Sequence, residues 1–93
     1  MADRPTESPA AALRLALERY MRRQLPDKEL RHVLHTWVWQ TKATGLRAEE
    51  MIIRFNAIWT SISEVRRAPR VRRRLLRERL VSTCIAEYYQ DVD

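Results

Sequence analysis

Glycine and cysteine are almost absent from this chain of 93 residues, which contains one of each. A single glycine, Gly45, cannot build a glycine-rich phosphate-binding loop, so that class of nucleotide site is excluded. A single cysteine, Cys84, cannot form an internal disulfide, and we therefore expect the reducing cytoplasm as the compartment. The N-terminal segment MADRPTESP lacks the apolar core of an export signal. No apolar run approaches the roughly 18 residues that span a bilayer, so we expect no transmembrane segment.

Strand signals are lacking as well. No segment alternates apolar and polar residues, and no Asn-Gly or Asp-Gly hairpin turn occurs. Hydrophobic residues make up 45% of the chain and include three tryptophans, which indicates a packed core rather than disorder. We predict an all-α fold, either a four-helix up-down bundle or a small orthogonal helical array, with helices at about 8–24, 27–44, 48–65 and 69–90. Residues 1–7 should form a disordered polar tail, and 8–93 a single helical domain.

A helical hairpin centred on Gly45 is the best-specified part of the chain. Apolar residues at helical spacing precede Gly45 at Leu30, Val33, Leu34, Trp37, Val38 and Thr41, and follow it at Met51, Phe55, Ile58, Trp59 and Ile62. Glycine adopts a left-handed conformation without penalty, which suits the position just after a helix C-terminus. Ser8 and Pro9 predict a helix start, with Ser8 as the N-cap and Pro9 as the first helical residue.

Positive charge is confined to one segment. Between Arg66 and Arg79 the sequence has eight arginines and one acid, whereas the rest of the chain has ten basic and eleven acidic residues. The whole net charge of +6 therefore resides in this segment. Helical spacing places four of the arginines on one stripe that two more widen, and these six are the predicted anion-binding residues: Arg66, Arg67, Arg70, Arg73, Arg74 and Arg77.

Like charges so close together repel one another, and an anionic partner would relieve that repulsion. Nucleic acid is the partner that we expect, because arginines that neutralise phosphates release counterions and bind strongly. An acidic protein surface and an anionic membrane face are alternatives. The simplest alternative is a solvated helix face in an arginine-rich proteome. The segment has no aromatic residues between its arginines, which disfavours a stacking platform for single strands.

A second apolar stripe lies outside the predicted core. Trp39 falls about 180° from the apolar face of its helix, on the same side as His32 and His35. Ile53 likewise lies away from the apolar face of the third helix. A small domain cannot easily bury both sides of two helices, so Trp39, His35 and Ile53 are predicted to form an interface, with a homodimer favoured. Alternatively, the third helix is central in the monomer and the stem of Lys28 or Lys42 covers Trp39.

Catalytic and metal-binding patterns are weak. His32 and His35 could supply two metal ligands, but no cysteine or aspartate lies at helical spacing from them. The sequence HVLHTWVWQ also lacks the His-x-x-Lys-Gly pattern of phosphotransfer proteins. Cys84 falls on the apolar side of the last helix, where a thiol is inert. Ser61, Ser63, Ser82 and Thr83 have no histidine nearby in sequence that could act as a base, so we expect no enzyme, cofactor or metal. The sequence therefore predicts a small non-enzymatic helical binding module for an anionic partner, with a homodimeric interaction module as the alternative.

Overall fold

The computed structural model describes residues 8–90, so the predicted tail at 1–7 lies outside the described residues, as do 91–93. Five helices follow in order: α1 Pro9–Met21, α2 Asp27–Ala43, α3 Ala48–Thr60, α4 Ser63–Arg67 and α5 Arg70–Tyr88. Residues 8–90 contain no strand. The all-α prediction is confirmed, and the packed helices form a small bundle or array.

The helix boundaries have identifiable local causes. α1 begins where the Ser8 hydroxyl accepts a hydrogen bond from the Ala11 N–H at 3.1 Å, as the Ser-Pro pair predicts. It ends at Met21, before the predicted position 24, because Arg23 takes a left-handed conformation with φ 62°. The Gln24 N–H then donates to the Arg19 carbonyl at 2.7 Å, which closes the helix end.

The hairpin at Gly45 is present as predicted. α2 ends at Ala43, and Gly45 has φ 92° in the connection to α3. Arg47 precedes the first residue of α3, and its backbone N–H donates to Glu50 Oε1 at 2.9 Å. This bond is one half of a capping box, and it compensates for an N-cap residue whose own side chain is poorly suited to that position.

The prediction of one continuous helix over 48–65 was wrong. The chain turns at Ser61 and Ile62, and this segment forms two helices, α3 and α4. The Thr60 hydroxyl donates to the Asn56 carbonyl at 3.0 Å and the Ser61 hydroxyl to the Ile58 carbonyl at 2.7 Å. Such bonds occupy carbonyls at the helix end and offer the backbone an alternative to continuing the helix. The turn keeps Ile62 buried, so the apolar spacing continues through the break and conceals it in the sequence.

The core draws residues from all five helices. Its buried members are Leu13, Ala16, Leu17, Met21, Leu30, Leu34, Trp37, Val38, Met51, Phe55, Trp59, Ile62, Val65, Leu80 and Cys84. The Phe55 ring lies 6.2 Å from Trp37 and 6.1 Å from Trp59, within the range of favourable aromatic pairs. The predicted apolar faces of the second and third helices are therefore the faces that pack.

The last helix is buried unevenly. α5 packs against α2 and α3, but its buried residues are Leu80 and Cys84, both in its second half. Arg79 contacts Asp27 and Glu87 contacts His35, so α5 and α2 run in the same direction where they touch. The first half of α5, residues 70–79, consequently lies at the surface, and this half carries most of the basic segment.

Candidate nucleic-acid interface

Five arginines of the basic segment line one open groove. Its walls are Arg66, Arg70, Arg73, Arg74 and Arg77, and Trp59, Thr60 and Val65 complete the lining. The groove has a volume of about 400 Å³. We call this set of five side chains the arginine groove. It contains five of the six predicted anion-binding residues; Arg67, the sixth, is exposed on α4 and is not part of the lining.

The groove exists because two helices meet at Pro69. α4 ends at Arg67, Ala68 is extended with ψ 152°, and α5 begins at Arg70. The residue before a proline avoids helical backbone angles, so the break at Ala68 follows from the sequence. Arg66 reaches the groove from α4, and the other four arginines reach it from α5.

Neutral acceptors position three of the guanidinium groups. Arg66 Nη1 donates to the carbonyl of Thr60 at 3.0 Å, at the C-terminus of α3. Arg73 Nη1 donates to the Arg66 carbonyl at 3.3 Å, and Arg77 Nη1 donates to Asn56 Oδ1 at 3.4 Å. Bonds to carbonyl and amide oxygens orient the side chains but leave their positive charge uncompensated, and each guanidinium keeps further donors for a ligand.

One carboxylate stands beside the groove. Arg74 Nε lies 3.4 Å from Glu78 Oε2 in an exposed pair, and such pairs contribute little to stability. Outside the groove, Arg79 Nη2 lies 3.4 Å from Asp27 Oδ1 and 3.2 Å from the Tyr20 hydroxyl. Among residues 8–90, these are the salt bridges that the basic segment makes. With Glu78 included, the five groove arginines therefore carry a formal charge of +4.

The side of α5 opposite Leu80 and Cys84 carries an apolar ridge that the sequence did not predict. Val71 is 69% exposed and Leu75 is 61% exposed. With Pro69 and Leu76 they line a shallow depression that has a volume of about 510 Å³ and is bordered by Arg72 and Arg79. The sequence does contain a signal, because Val71 and Leu75 are four residues apart and lie on the side opposite Leu80 and Cys84. This spacing identifies an exposed ridge only when the buried side of α5 is known.

The predicted interface residues occupy different settings. Trp39 is 40% exposed on α2, and Lys42 Nζ lies 5.4 Å from its ring centroid. His35 Nδ1 lies 2.5 Å from Glu87 Oε1, so its side chain holds α5 within the monomer. Ile53 is 66% exposed on α3, so its apolar side chain faces solvent.

The cysteine and the metal-ligating residue types are the other groups of chemical interest. Burial raises the pKa of the Cys84 thiol to about 12, which keeps it protonated at neutral pH. Within residues 8–90 no three histidine, cysteine or carboxylate side chains cluster as metal ligands would. In the same part of the chain, each helix is too short or too polar to cross a bilayer.

Comparison with known proteins adds no relative: no protein-family model, curated protein or solved structure matches this chain. The function must therefore be inferred from the groove and the surfaces around it.

Proposed function

We propose that the protein is a small non-enzymatic binding module that holds the phosphate backbone of a nucleic acid in the arginine groove. The observation that supports this proposal is the convergence of five guanidinium groups on one groove beside a single carboxylate. We place the module in the cytoplasm, where its one thiol stays reduced.

Electrostatics favour a partner with closely spaced charges. Five like charges around one groove repel one another, and each phosphate that approaches relieves this repulsion while releasing condensed counterions. Guanidinium groups bind phosphate oxygens with two parallel hydrogen bonds, which adds geometric specificity to the charge attraction. A duplex backbone supplies phosphates in a regular row, so several arginines can be satisfied together.

Salt dependence measures this arrangement directly. If each groove arginine contacts one phosphate of duplex DNA, five contacts give a slope of log K against log salt of about −4.5. Affinity measured by fluorescence anisotropy should then fall about 500-fold between roughly 50 and 200 mM salt. Replacing Arg70, Arg73 and Arg77 by glutamine leaves two contacts, so the slope should shrink to about −1.8 and the loss to about 12-fold.

A control variant with the same net charge as the triple groove variant distinguishes binding in the groove from general electrostatic attraction. Glutamine at Arg14, Arg19 and Arg31, three exposed positions on α1 and α2, removes equal charge away from the groove. This variant should keep a slope near that of the unmodified protein. Equal slopes for the two triple variants, or no binding to any nucleic acid at the lower salt, would refute the proposed function.

A homodimer is a second candidate, supported by the exposure of Ile53 and Trp39. An exposed large apolar side chain is commonly buried when copies associate, and tryptophan is a frequent anchor. Light scattering at high protein concentration should then give twice the mass of the monomer. Trp39→Glu or Ile53→Glu should lower the measured mass to that of the monomer. Arg54→Glu, at the exposed position next to Ile53, serves as the control. A monomer at every concentration contradicts this candidate.

A further inference from the structure

We propose that the first half of α5 enters the major groove of duplex DNA, with Val71 and Leu75 facing the base edges. This inference rests on the proposed function and deepens it, because it names double-helical DNA as the ligand and assigns base contacts to an apolar ridge outside the arginine groove.

The apolar ridge is the first reason. Residues 70–79 contribute no fully buried side chain, and Val71 and Leu75 are among the most exposed large hydrophobic residues of the described chain. They lie four residues apart and opposite Leu80 and Cys84, so they form the outermost line of the helix. Packing of the monomer does not account for two branched aliphatic side chains at this position.

Charge on both sides of the ridge is the second reason. At about 100° per residue, Arg72 and Arg79 flank Val71 and Leu75 on one side. Arg70 and Arg74 lie on the other side, with the exposed Glu78, which pairs with Arg74, between them and the ridge. Arg70 and Arg74 belong to the arginine groove, whereas Arg72 and Arg79 border the ridge itself. The helix therefore presents an apolar line with two arginines on each side and one carboxylate beside it, which leaves this face with a formal charge of +3.

The major groove of B-DNA has the complementary pattern. It is about 12 Å wide, which admits one α-helix, and its two edges are rows of phosphates. Ten residues of helix span about 15 Å, enough to cross several base pairs along the groove. Its floor carries the C5-methyl groups of thymine, which make apolar contacts with side chains. With Val71 and Leu75 toward the floor, Arg72 and Arg79 face one strand, and Arg70 and Arg74 face the other. Arg73 and Arg77 lie on the far side of the helix, so Arg70 and Arg74 are the members of the arginine groove on α5 that contact this stretch of duplex.

Other occupants fit this surface less well. The A-form RNA major groove is too deep and narrow to be read by side chains. A second copy of α5 would bring like-charged rows together, and two aliphatic side chains give little area for insertion into a membrane. Entry into DNA requires Arg79 to exchange Asp27 and the Tyr20 hydroxyl for a phosphate, and contacts of 3.4 and 3.2 Å at an exposed site oppose this exchange only weakly.

Removal of the thymine methyl group tests the proposal. Two DNA duplexes of alternating adenine and thymine, or adenine and deoxyuridine, differ only in that methyl. The unmodified protein should bind the thymine duplex more tightly, by about 4-fold for each methyl contacted. The variant Val71→Ala/Leu75→Ala should bind both duplexes equally while keeping its salt slope, and Leu15→Ala, an exposed aliphatic on α1, should behave as the unmodified protein.

The outcomes distinguish the inference from the function on which it rests. Salt-dependent binding of both duplexes with equal affinity by the unmodified protein overturns the major-groove inference and leaves the arginine groove supported. Stronger binding to an RNA duplex, to anionic lipid vesicles or to an acidic helical peptide than to DNA also overturns it. Absence of binding to any nucleic acid overturns both. Circular dichroism melting of each variant verifies that it remains folded.

Discussion

Replacing Gly45 by alanine and Arg23 by glycine should change the free energy of unfolding in opposite directions. Both residues occupy the left-handed region, with φ 92° at Gly45 and φ 62° at Arg23. An added Cβ at Gly45 meets no atom within 4 Å, so the cost of alanine there is conformational rather than steric. Arg23 already bears the corresponding cost, because its Cβ is held in the same disfavoured region.

The magnitudes follow from two opposing contributions. A left-handed conformation costs a residue with a Cβ about 1–2 kcal/mol. A glycine in the unfolded chain has greater freedom, which offsets about 0.4–1 kcal/mol of that difference. Gly45→Ala should therefore destabilise the fold by about 1 kcal/mol, and Arg23→Gly should stabilise it by a similar or smaller amount. In a domain of this size, about 1 kcal/mol shifts Tm by roughly 4–8 °C.

Thermal and urea denaturation followed by circular dichroism measure both changes. The matched control is Arg31→Gly, the same chemical change at an exposed position within α2, which should destabilise by about 1 kcal/mol because glycine is a poor helix former. The decisive comparison is between the two arginine positions. If Arg23→Gly lowers stability as much as Arg31→Gly does, Arg23 does not bear the cost of a left-handed conformation and the reasoning is refuted.

Three further predictions concern the core and its edges. The Cys84 thiol, with its pKa raised to about 12 by burial, should react with a thiol reagent at pH 8 only as fast as the protein unfolds; rapid labelling of the native protein would contradict this. Tyr88→Phe removes the hydroxyl that donates to the Leu46 carbonyl at 2.7 Å, and urea denaturation should show a loss of about 0.5–1.5 kcal/mol, whereas an unchanged midpoint would mean that water replaces the bond at no cost. The backbone hydrogen bond of Glu64, together with Arg22, lowers the pKa of its carboxyl from 4.5. Its contribution to stability is therefore present above pH 4.5 and is lost as the pH falls through the lowered folded-state pKa, so the stability difference between the protein and Glu64→Gln should disappear in acid.

Local patterns specified much of the fold. The helical spacing around Gly45, the Ser8-Pro9 start and the Pro69 break act within a few residues, so the sequence predicts the helices and the apolar faces that pack. The boundaries that differed depend on particular backbone states. Arginine is an unusual residue for the left-handed position at 23, and the hydroxyls of Thr60 and Ser61 end α3 without interrupting its apolar spacing.

The candidate site also has features that the sequence predicted and features that depend on packing. Concentration of positive charge between Arg66 and Arg79 is a property of the sequence, and helical spacing predicted five of the residues that line the arginine groove. Spacing alone did not separate Arg67 from the groove, since that requires the angle between α4 and α5. It also did not reveal that His35 is engaged by Glu87, because the two residues are 52 positions apart and meet only through packing.

The amino-acid sequence by itself determined the helical class, the apolar faces of the central helices and the place of the surplus charge, because these depend on residue type and on spacings within one or two helical turns. Tertiary structure alone decided that Val71 and Leu75 face outward. The side of α5 that is buried is set by its contacts with α2 and α3, and those contacts join residues far apart in the chain.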